Sequence, residues 1–304
     1  MKLKDFVNNS FVKAFIKFTF SFLTDKQIIK LQHRTVLRRK LDLKNPQRFT
    51  EKIQWYKLNY RSALMTQCAD KYRVRDYIIA KGYKDTLVEL YQVVDGFEDI
   101  NFEKLPKSFV IKSNKGSGTN LFIKDKGNID LKSIEKSINR WKTVNTVLMG
   151  REWAYKNIRH KIVIEEMLED SINPNESLFD YKFLCFNGNV KYIMLDIDRN
   201  SEHKRNFYDI EWNLLDIKSK LPARNIASKS IPKPDGLKYM IEIAESIARD
   251  FPFVRVDFYW VNNKVYFGEI TFYPWSGCVK FSPDSFDFHL GELFELPYSK
   301  IIKE

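Results

Sequence analysis

The sequence predicts a mixed α/β fold of the α+β kind, in which β-hairpins follow a mainly helical N-terminal region. Before Phe102, apolar residues recur at helical spacing through much of the chain. From Phe102 onward, short β-branched and aromatic runs alternate with helical segments. Two later segments alternate apolar and polar residues on either side of an asparagine-containing turn, which is typical of antiparallel hairpins.

Composition limits the classes of protein and of partner. The 304 residues are 44% hydrophobic and 15% aromatic, which is enough for a substantial core and for about two domains. A net charge of +12 and a pI near 9.3 favour nucleotides, anionic polymers or a membrane surface as partners. No nucleic-acid-binding motif accompanies this charge, so a nucleic acid is not expected as a partner.

The cysteines and histidines show no functional spacing. Cys68, Cys185 and Cys278 stand far apart, which argues against a disulfide framework or a zinc site and fits a reducing cytosol. The four histidines form no metal-ligand or triad pattern. We therefore expect a cytoplasmic protein.

The segment Phe11 to Leu23 is apolar and aromatic after a basic start, and it superficially resembles a signal peptide. Lys13 and Lys17 interrupt the run, no small-residue cleavage site follows, and the segment is too short to span a bilayer. Its aromatic residues fall at helical spacing, which predicts an amphipathic helix. This helix would either dock on the body of the protein, which we favour, or contact the inner membrane face peripherally.

The helical region contains a candidate anion contact. Thr50 is predicted to cap one helix, and Ala69 to Lys81 is predicted to form another. On the second helix Tyr72 would belong to the buried stripe, while Lys71 and Arg75 would lie one turn apart on a common face. Such a pair of cations is either solvent-exposed or an anion contact.

A glycine-rich loop follows a short predicted strand that ends at Lys112. The loop reads Lys115-Gly116-Ser117-Gly118, and such loops let backbone N–H groups approach phosphate oxygens while lysines supply charge. It is not a P-loop, because the spacing to a following Lys-Ser/Thr is missing. An ordinary hairpin turn has the same pattern, so the loop alone does not identify a site.

Further strands are predicted in the middle of the chain. Ile162 to Ile164 is typical of a buried strand that runs into Glu165 and Glu166. After it, Asn187-Gly188 predicts a tight hairpin turn.

In that hairpin, pairing Phe186 with Asn189 would place Asp180 and Lys182 on one face. Residues 200–233 are predicted to be a loop with one strand near Trp212. A helix is predicted over 236–250, and a short final helix within 283–295.

The most informative pattern lies between Phe253 and Thr271. In the first predicted strand, Arg255 and Asp257 point to one side, and after Asn262-Asn263 the second strand places Glu269 and Thr271 on one side. A two-residue loop would pair Val256 with Glu269, whereas a three-residue loop through Lys264 would set Asp257 opposite Glu269. We favour the three-residue loop, because the other register leaves each acid on an otherwise apolar face.

Two carboxylates that face each other repel, unless a cation lies between them. Hard oxygen ligands on a hairpin suit Mg²⁺ bound to a nucleotide. The alternative is a solvated sheet face with scattered acids, and the hairpin alone does not decide between the two.

Several phrases, in this order, resemble the TupA-like branch of the ATP-grasp superfamily, which is tied to teichuronopeptide and surface-polysaccharide synthesis. They are FTEKIQWYKL, DKYRVRDYI, VIKSNKGSG, DYKFLCFNGNVKYI, VRVDFYW and GEITFYPWSG. The resemblance spans roughly Asn45 to Pro297 and implies an ATP-grasp fold, with antiparallel sheets sandwiching the nucleotide. It implies a helical region over 1–101, a small subdomain with the glycine-rich loop over 102–172, and a C-terminal subdomain with the metal-binding hairpin over 173–304.

The resemblance also implies roles in binding ATP. Lys71 and Lys112 would contact the nucleotide phosphates, and Gly116, Ser117 and Gly118 would close over them. Glu165 and Glu166 would sit at the adenine edge, with Leu168 beside the ring.

On the second hairpin, Asp257 and Glu269 would hold Mg²⁺, and Arg255 would stabilise the transferred phosphoryl group. Lys182 is implied as a phosphate or substrate contact. Thr271 replaces the asparagine that the superfamily usually has there; its hydroxyl could ligate the metal or a bound water.

The glycine-rich loop departs from the branch as well. Lys115 stands where the branch commonly has histidine. A lysine would strengthen phosphate binding, but the chain would lack any proton transfer that the histidine performs. The replacement therefore bears on catalysis more than on nucleotide binding.

The implied function is ATP-dependent carboxylate–amine ligation through an acyl phosphate, with ATP and Mg²⁺ as cofactors. The expected substrates are an anionic glycan or uronic-acid precursor and an amine or amino acid. A sugar kinase on the same scaffold and a non-catalytic nucleotide- or glycan-binding module are the alternatives. The sequence does not predict the oligomeric state.

Overall fold

A computed structural model describes residues 23–143, 150–171, 177–197, 203–220 and 231–298. The amphipathic helix predicted over 11–23 therefore lies, apart from Leu23, outside the described residues. No helix among the described residues is long and apolar enough to cross a lipid bilayer.

The helices of the described residues lie mainly at the two ends of the chain and on the outer faces of the sheets. They are α1 (Asp25–Leu37), α2 (Phe49–Asn59), α3 (Ala63–Ala69), α4 (Val74–Ala80), α5 (Leu131–Thr143), α6 (Leu237–Ala248) and α7 (Ser285–Leu293). Twelve strands are described between and around them. They are β1 (Leu90–Val94), β2 (Phe109–Ser113), β3 (Asn120–Ile123), β4 (Ile162–Glu165), β5 (Asp180–Phe186), β6 (Asn189–Ile197), β7 (Lys204–Tyr208), β8 (Leu214–Leu215), β9 (Lys218–Lys220), β10 (Phe253–Val261), β11 (Lys264–Thr271) and β12 (Lys280–Ser282).

A four-stranded antiparallel sheet has the order β1-β4-β2-β3. Its β-branched strands suit a buried sheet, and its core also takes in Ile134, Ile138 and Trp141 of α5. β1 enters this sheet from the part of the chain that precedes Phe102. The hairpin β2–β3 carries the glycine-rich loop at its tip.

A six-stranded antiparallel sheet has the order β11-β10-β5-β6-β7-β8. Alternation along the strands gives it two different faces. The apolar face includes Phe183, Val256 and Phe258, and it packs with Met240 and Ile243 of α6 in the main core. The predicted inward face of this helix is confirmed. The opposite face carries charged residues where it meets the four-stranded sheet.

The N-terminal helix α2 packs against the last helix, α7. Thr50 lies inside α2 rather than capping it, and its amide and hydroxyl donate to the buried carboxylate of Asp287 on α7. Glu51 instead accepts from the backbone N–H groups that precede the helix, at Gln47 and Arg48. The prediction of Thr50 as the cap is therefore wrong.

Lys57 on α2 fixes an unusual turn after β11. Its ammonium group donates to Gly150 O at 2.9 Å, and to Ser276 O and Oγ at 2.8 and 2.7 Å. Ser276 and its neighbour Trp275 have φ values of 53° and 51°, in the left-handed region that non-glycine residues rarely adopt. Complete burial lowers the pKa of Lys57 to about 8.

The helix predicted over Ala69 to Lys81 is two helices with a turn between them. The chain leaves α3 at Ala69 and enters α4 at Val74, so Lys71 lies in the turn and not on a helix face with Arg75. Tyr72 is exposed rather than part of a buried stripe. Asp70 forms this turn, because its carboxylate accepts from the amides of Tyr72 and Arg73.

The first long hairpin is confirmed, with Phe186 paired to Asn189 across the Asn187-Gly188 turn. Residues 203–220 contain the three short strands β7, β8 and β9, so the expectation of one strand there is wrong. The final helix is confirmed as α7.

In the second hairpin the predicted loop length is wrong, whereas the predicted pairing of Asp257 with Glu269 is confirmed. Its turn has two residues, since Val261 pairs with Lys264, so the predicted three-residue loop is wrong. A β-bulge at Gly268 then shifts the register, and Asp257 does face Glu269. A Cβ atom on Gly268 would lie 2.9 Å from the backbone oxygen of Asp257, so the close approach there requires glycine.

Candidate functional site

A cleft of about 440 Å³ lies between the two large sheets. One wall comes from β2, the glycine-rich loop and the end of β4, and the other from β10 and β11. Ten of the residues predicted for the site line it: Lys71, Lys112, Gly116, Ser117, Gly118, Glu165, Glu166, Leu168, Asp257 and Glu269. These residues are far apart in the sequence, and the fold brings them together.

Lys71 reaches the cleft from the turn between α3 and α4. Its backbone N–H donates to Asn114 O at 2.8 Å, and Asn114 Nδ2 donates to Asp70 Oδ2 at 3.0 Å. The turn is thereby fixed to the start of the glycine-rich loop. Lys71 Nζ donates to Gly116 O at 2.5 Å and lies 3.8 Å from Glu269 Oε2. Burial lowers the pKa of Lys71, while Glu269 opposes this effect.

The glycine-rich loop needs its glycines for conformation. Gly116 and Gly118 have φ values of 78° and 69°, which lie in the left-handed region. Ser117 between them is exposed. The loop therefore places small residues and backbone groups beside the cleft, where a phosphate could approach them.

Lys115 is not among the residues that line the cleft. Its amide donates to Ser113 Oγ at 3.4 Å. Burial, together with the positive charge of Lys115, lowers the pKa of His160.

The acidic exit of β4 lies at another edge of the cleft. Glu165 forms a close ion pair with Lys112 on the neighbouring strand β2. Glu166 accepts from the backbone N–H of Glu89 at 3.2 Å, and its own amide donates to Glu89 O at 2.9 Å. Leu168 follows, and further apolar residues that line the cleft offer a surface for a planar ring: Val88, Val110, Phe122 and Phe267.

Arg255 connects the two facing carboxylates on the hairpin. Its Nε and Nη2 atoms donate to Asp257 at 2.7 and 2.6 Å, and Nη2 also donates to Glu269 Oε1 at 3.0 Å. The same Nη2 lies 3.0 Å from Thr271 Oγ1. Burial alone would lower the pKa of Arg255, but Asp257, together with Glu269 and Asp180, more than offsets this and the net shift is upward.

The arrangement meets the expectation that facing carboxylates need a cation between them, and the guanidinium supplies it. Arg255 and Thr271 lie beside the cleft lining rather than in it.

Lys182 lies on β5 beside Asp257 of the hairpin, between two carboxylates, and it is not among the residues that line the cleft. Its ammonium group is 2.6 Å from Asp257 Oδ2 and 2.6 Å from Asp180 Oδ2, and all three side chains are at least 96% buried. Because a buried cation is stable only when it is paired, the two acids explain how a lysine can occupy this position.

Asp180 lines the cleft, and the sequence interpretation gave it no role. The available signal was its position on the same strand face as Lys182, two residues away. A carboxylate at that spacing from a predicted catalytic lysine is a natural partner for it once the strand is recognised.

Within the described parts of the chain, no cluster of three or more His, Cys, Asp or Glu side chains is arranged to hold a metal ion. The facing pair Asp257 and Glu269 has two acids, and both line the cleft. Any metal site here would therefore combine these two carboxylates with other oxygen donors, of which the Thr271 hydroxyl is one.

Comparison with solved structures finds distant similarity to ligases. The chain is 18% identical to D-alanine–D-alanine ligase from Bacillus anthracis, covering 67% of this chain and 56% of that one, with a TM-score of 0.40. It is 15% identical to D-alanine–D-alanine ligase from Helicobacter pylori, covering 81% of this chain and 69% of that one, with a TM-score of 0.45. It is 12% identical to phosphoribosylamine–glycine ligase from Thermotoga maritima, covering 70% of this chain and 49% of that one, with a TM-score of 0.39. The chain thus spans about half to two thirds of the length of these proteins.

No curated protein matches the chain. A family model described as TupA-like ATPgrasp matches residues 51–295, which include every residue of the cleft described above. The chain therefore belongs to the TupA-like ATP-grasp family.

Proposed function

We propose that this protein is an ATP-dependent carboxylate–amine ligase that acts in bacterial surface-polysaccharide biosynthesis. The observation that carries the proposal is the cleft between the sheets. It combines the cations Lys71 and Lys112 and a glycine-rich loop on one wall with the carboxylates Asp257 and Glu269 on the other. Cations and backbone N–H groups suit phosphates, and carboxylates suit a divalent metal ion.

ATP would lie in this cleft. Its adenine would pack against Leu168 and the other apolar residues that line the cleft, and its phosphates would face Lys71, Lys112 and the loop. Both lysines already contact acids: Lys71 contacts Glu269 on the other wall, and Lys112 contacts Glu165 on the neighbouring strand. Binding of an anion would therefore exchange one negative partner for another, which keeps the cost of desolvating the lysines low.

Mg²⁺ fits the donor set, because Asp257 and Glu269 offer hard oxygen ligands that face each other and border the cleft. Thr271 is a further oxygen donor, 3.3 Å from Glu269 Oε1. A bound magnesium ion supplies charge neutralisation for the nucleotide phosphates. Arg255, which is held by both carboxylates, would stabilise the negative charge that develops as a phosphoryl group moves.

The proposed reaction has two displacement steps. A substrate carboxylate oxygen attacks the γ-phosphorus of ATP, the bond to the β-phosphate oxygen breaks, and an acyl phosphate and ADP result. An amine then attacks the acyl carbon, inorganic phosphate leaves, and the amine loses a proton as the amide forms. Lys182 is held between Asp180 and Asp257, and its contact with a phosphate or substrate group stays a proposal.

The proposed substrates are an anionic glycan or uronic-acid precursor and an amine or amino acid. A protein with a net charge of +12 suits such an anionic substrate. We also propose a cytoplasmic location, with peripheral membrane contact through residues 11–23 as the alternative to docking of that segment. The division of the chain at residues 101 and 172 stays a prediction.

A product assay tests the ligase proposal. The protein is incubated with ATP, Mg²⁺, a panel of uronic acids and a panel of amino acids, and the products are analysed by mass spectrometry and a phosphate assay. Formation of an amide with one inorganic phosphate per ADP supports the proposal. Phosphate retained on the glycan identifies a kinase instead, and ATP binding without turnover over the whole panel identifies a binding module.

A further inference from the structure

The exposed side of α1 carries a row of positive charges. Lys26, Lys30 and Arg34 are spaced four residues apart, and Arg38 caps the end of the helix. All four are exposed, and residues at this spacing lie along one side of a helix. We call these four residues the basic face of α1.

The buried residues of α1 fix how the helix is oriented on the protein, and so where its basic face points. Ile28, Ile29, His33 and Leu37 are buried, and α1 packs on α2. Thr24 and Gln27 form a complete capping box at its first turn, so the helix has a defined start. The orientation of the four cations is therefore set by the fold.

Acidic residues do not neutralise the basic face. Asp25 is the one acid of the helix, and it lies 3.2 Å from Arg151 on another segment. Among the described residues, no ion pair involves any of the four cations. Four cations on one exposed surface create a positive potential that attracts an extended anionic surface.

Apolar side chains accompany the charges. Leu31, which follows Lys30 on the exposed side, is 49% exposed, and Leu23 before the helix is 37% exposed. An anionic polymer in water would gain little from contact with leucines, whereas the acyl boundary of a lipid bilayer would bury them. The combination of cations with exposed leucines thus favours a membrane surface over a soluble polyanion.

We propose that the basic face of α1, with Leu23 and Leu31, docks this protein on an anionic lipid bilayer. The chain immediately before Leu23 has the same chemistry, since Lys13 and Lys17 alternate there with aromatic residues. Cations near a membrane of this kind act through the negative surface potential, and their contributions add. The proposal is independent of the ligase chemistry, because it concerns a surface outside the cleft.

Vesicle co-sedimentation of the full-length protein tests this. Vesicles of phosphatidylcholine with phosphatidylglycerol are compared with vesicles of phosphatidylcholine alone, at low and at physiological salt. The wild type is expected to bind the anionic vesicles more tightly, and K26E/K30E/R34E is expected to weaken that binding by about a hundredfold. Circular dichroism and thermal unfolding establish that the variant is folded like the wild type.

A matched control is available on α5. Lys132, Lys136 and Arg140 have the same spacing and are exposed, but the acid Glu135 lies among them. K132E/K136E/R140E changes the net charge equally and is expected to weaken vesicle binding by no more than about threefold. Equal losses in both variants would overturn the proposal, since net charge alone would then explain binding.

A single substitution separates the membrane from a soluble polyanion. Leu31→Asn is expected to weaken binding to anionic vesicles severalfold and to leave retention on heparin unchanged. Wild-type protein that is retained on heparin but does not bind anionic vesicles would contradict the proposal and identify a polyanion as the partner of this face.

Discussion

The ammonium group of Lys182 lies 2.6 Å from one carboxylate oxygen of Asp257, and both side chains are at least 96% buried. Asp180 holds the same ammonium group at 2.6 Å from the other side. Two strands of the six-stranded sheet are thereby joined on the face that borders the cleft, since Lys182 and Asp257 are also direct partners across β5 and β10. This relationship couples the stability of the sheet to the geometry of the candidate site.

Replacement of Lys182 should therefore cost much more stability than a surface lysine does. Lys182→Met leaves two buried carboxylates close together, and breaking a buried ion pair by removal of one partner typically costs about 3–5 kcal/mol. Urea unfolding monitored by circular dichroism measures the free energy of unfolding. The exposed Lys191→Met on β6 is the control and should change it by less than about 0.5 kcal/mol. A loss below about 1 kcal/mol for Lys182→Met would show that the pairing is weak.

Replacement of Asp257 should remove the dependence of ATP binding on magnesium. In Asp257→Asn one ligand charge is lost, so Mg-ATP binding measured by calorimetry is expected to weaken at least about tenfold. The same titration with EDTA in place of Mg²⁺ should show little difference between the two proteins. Asp235→Asn, at an exposed position, should bind like the wild type. Unchanged Mg-ATP affinity in Asp257→Asn would place the metal elsewhere.

Two glycines with similar backbone conformations allow the effect of backbone strain to be distinguished from an effect on ATP binding. Gly118 in the cleft and Gly82 after α4 have φ values of 69° and 90°, and a Cβ atom on either would meet no atom within 4 Å. Alanine at either position should thus cost a similar amount, about 1 kcal/mol, through backbone strain alone. Only Gly118→Ala is expected to weaken ATP binding as well, measured by calorimetry. Equal affinities for the two variants would exclude the loop from the nucleotide site.

Lys57 should make stability depend on pH in the alkaline range. Burial lowers its pKa from 10.5 to about 8 in the folded protein, so the folded state releases this proton before the unfolded state does. The cost of burying the charge is fully present below pH 8 and disappears as the pH rises toward 10.5.

The free energy of unfolding of the wild type, relative to Lys57→Met, is therefore expected to rise by about 1.4 kcal/mol per pH unit in this window. Urea unfolding of both proteins at pH 7.5 and pH 9.5 measures the difference. Parallel behaviour of the two proteins would mean that Lys57 keeps an ordinary pKa.

The sequence was most informative where side-chain periodicity and turn chemistry agreed. The Asn187-Gly188 turn defined its hairpin because this dipeptide both favours the turn and fixes the register. The apolar face of α6 followed from its period in the same way. The order of lysines, glycine-rich loop and acids indicated the family, which the match over residues 51–295 confirmed.

Other features depend on tertiary contacts that local patterns do not contain. The segment around Lys71 has a helical pattern, but Asn114 binds the Asp70 carboxylate and stabilises a turn there instead. Thr50 has the composition of a cap, but its hydroxyl is used by Asp287, which lies 237 residues away in the sequence. The strands β8 (Leu214–Leu215) and β9 (Lys218–Lys220) are too short for their periodicity to be distinguished from a loop.

The bulge at Gly268 separates the tip of the second hairpin from its functional half. Between the turn and the bulge, the two-residue turn sets which residues pair. On the other side of the bulge, the extra residue Gly268 sets the pairing of Glu269 and Thr271. One residue can therefore be added to each strand at the tip without changing the face on which Glu269 lies. A single added residue would place Glu269 on the apolar face, unless the bulge were lost at the same time. The hairpin can therefore be lengthened by one residue in each strand, and the bulge at Gly268 determines the sheet face on which Glu269 lies.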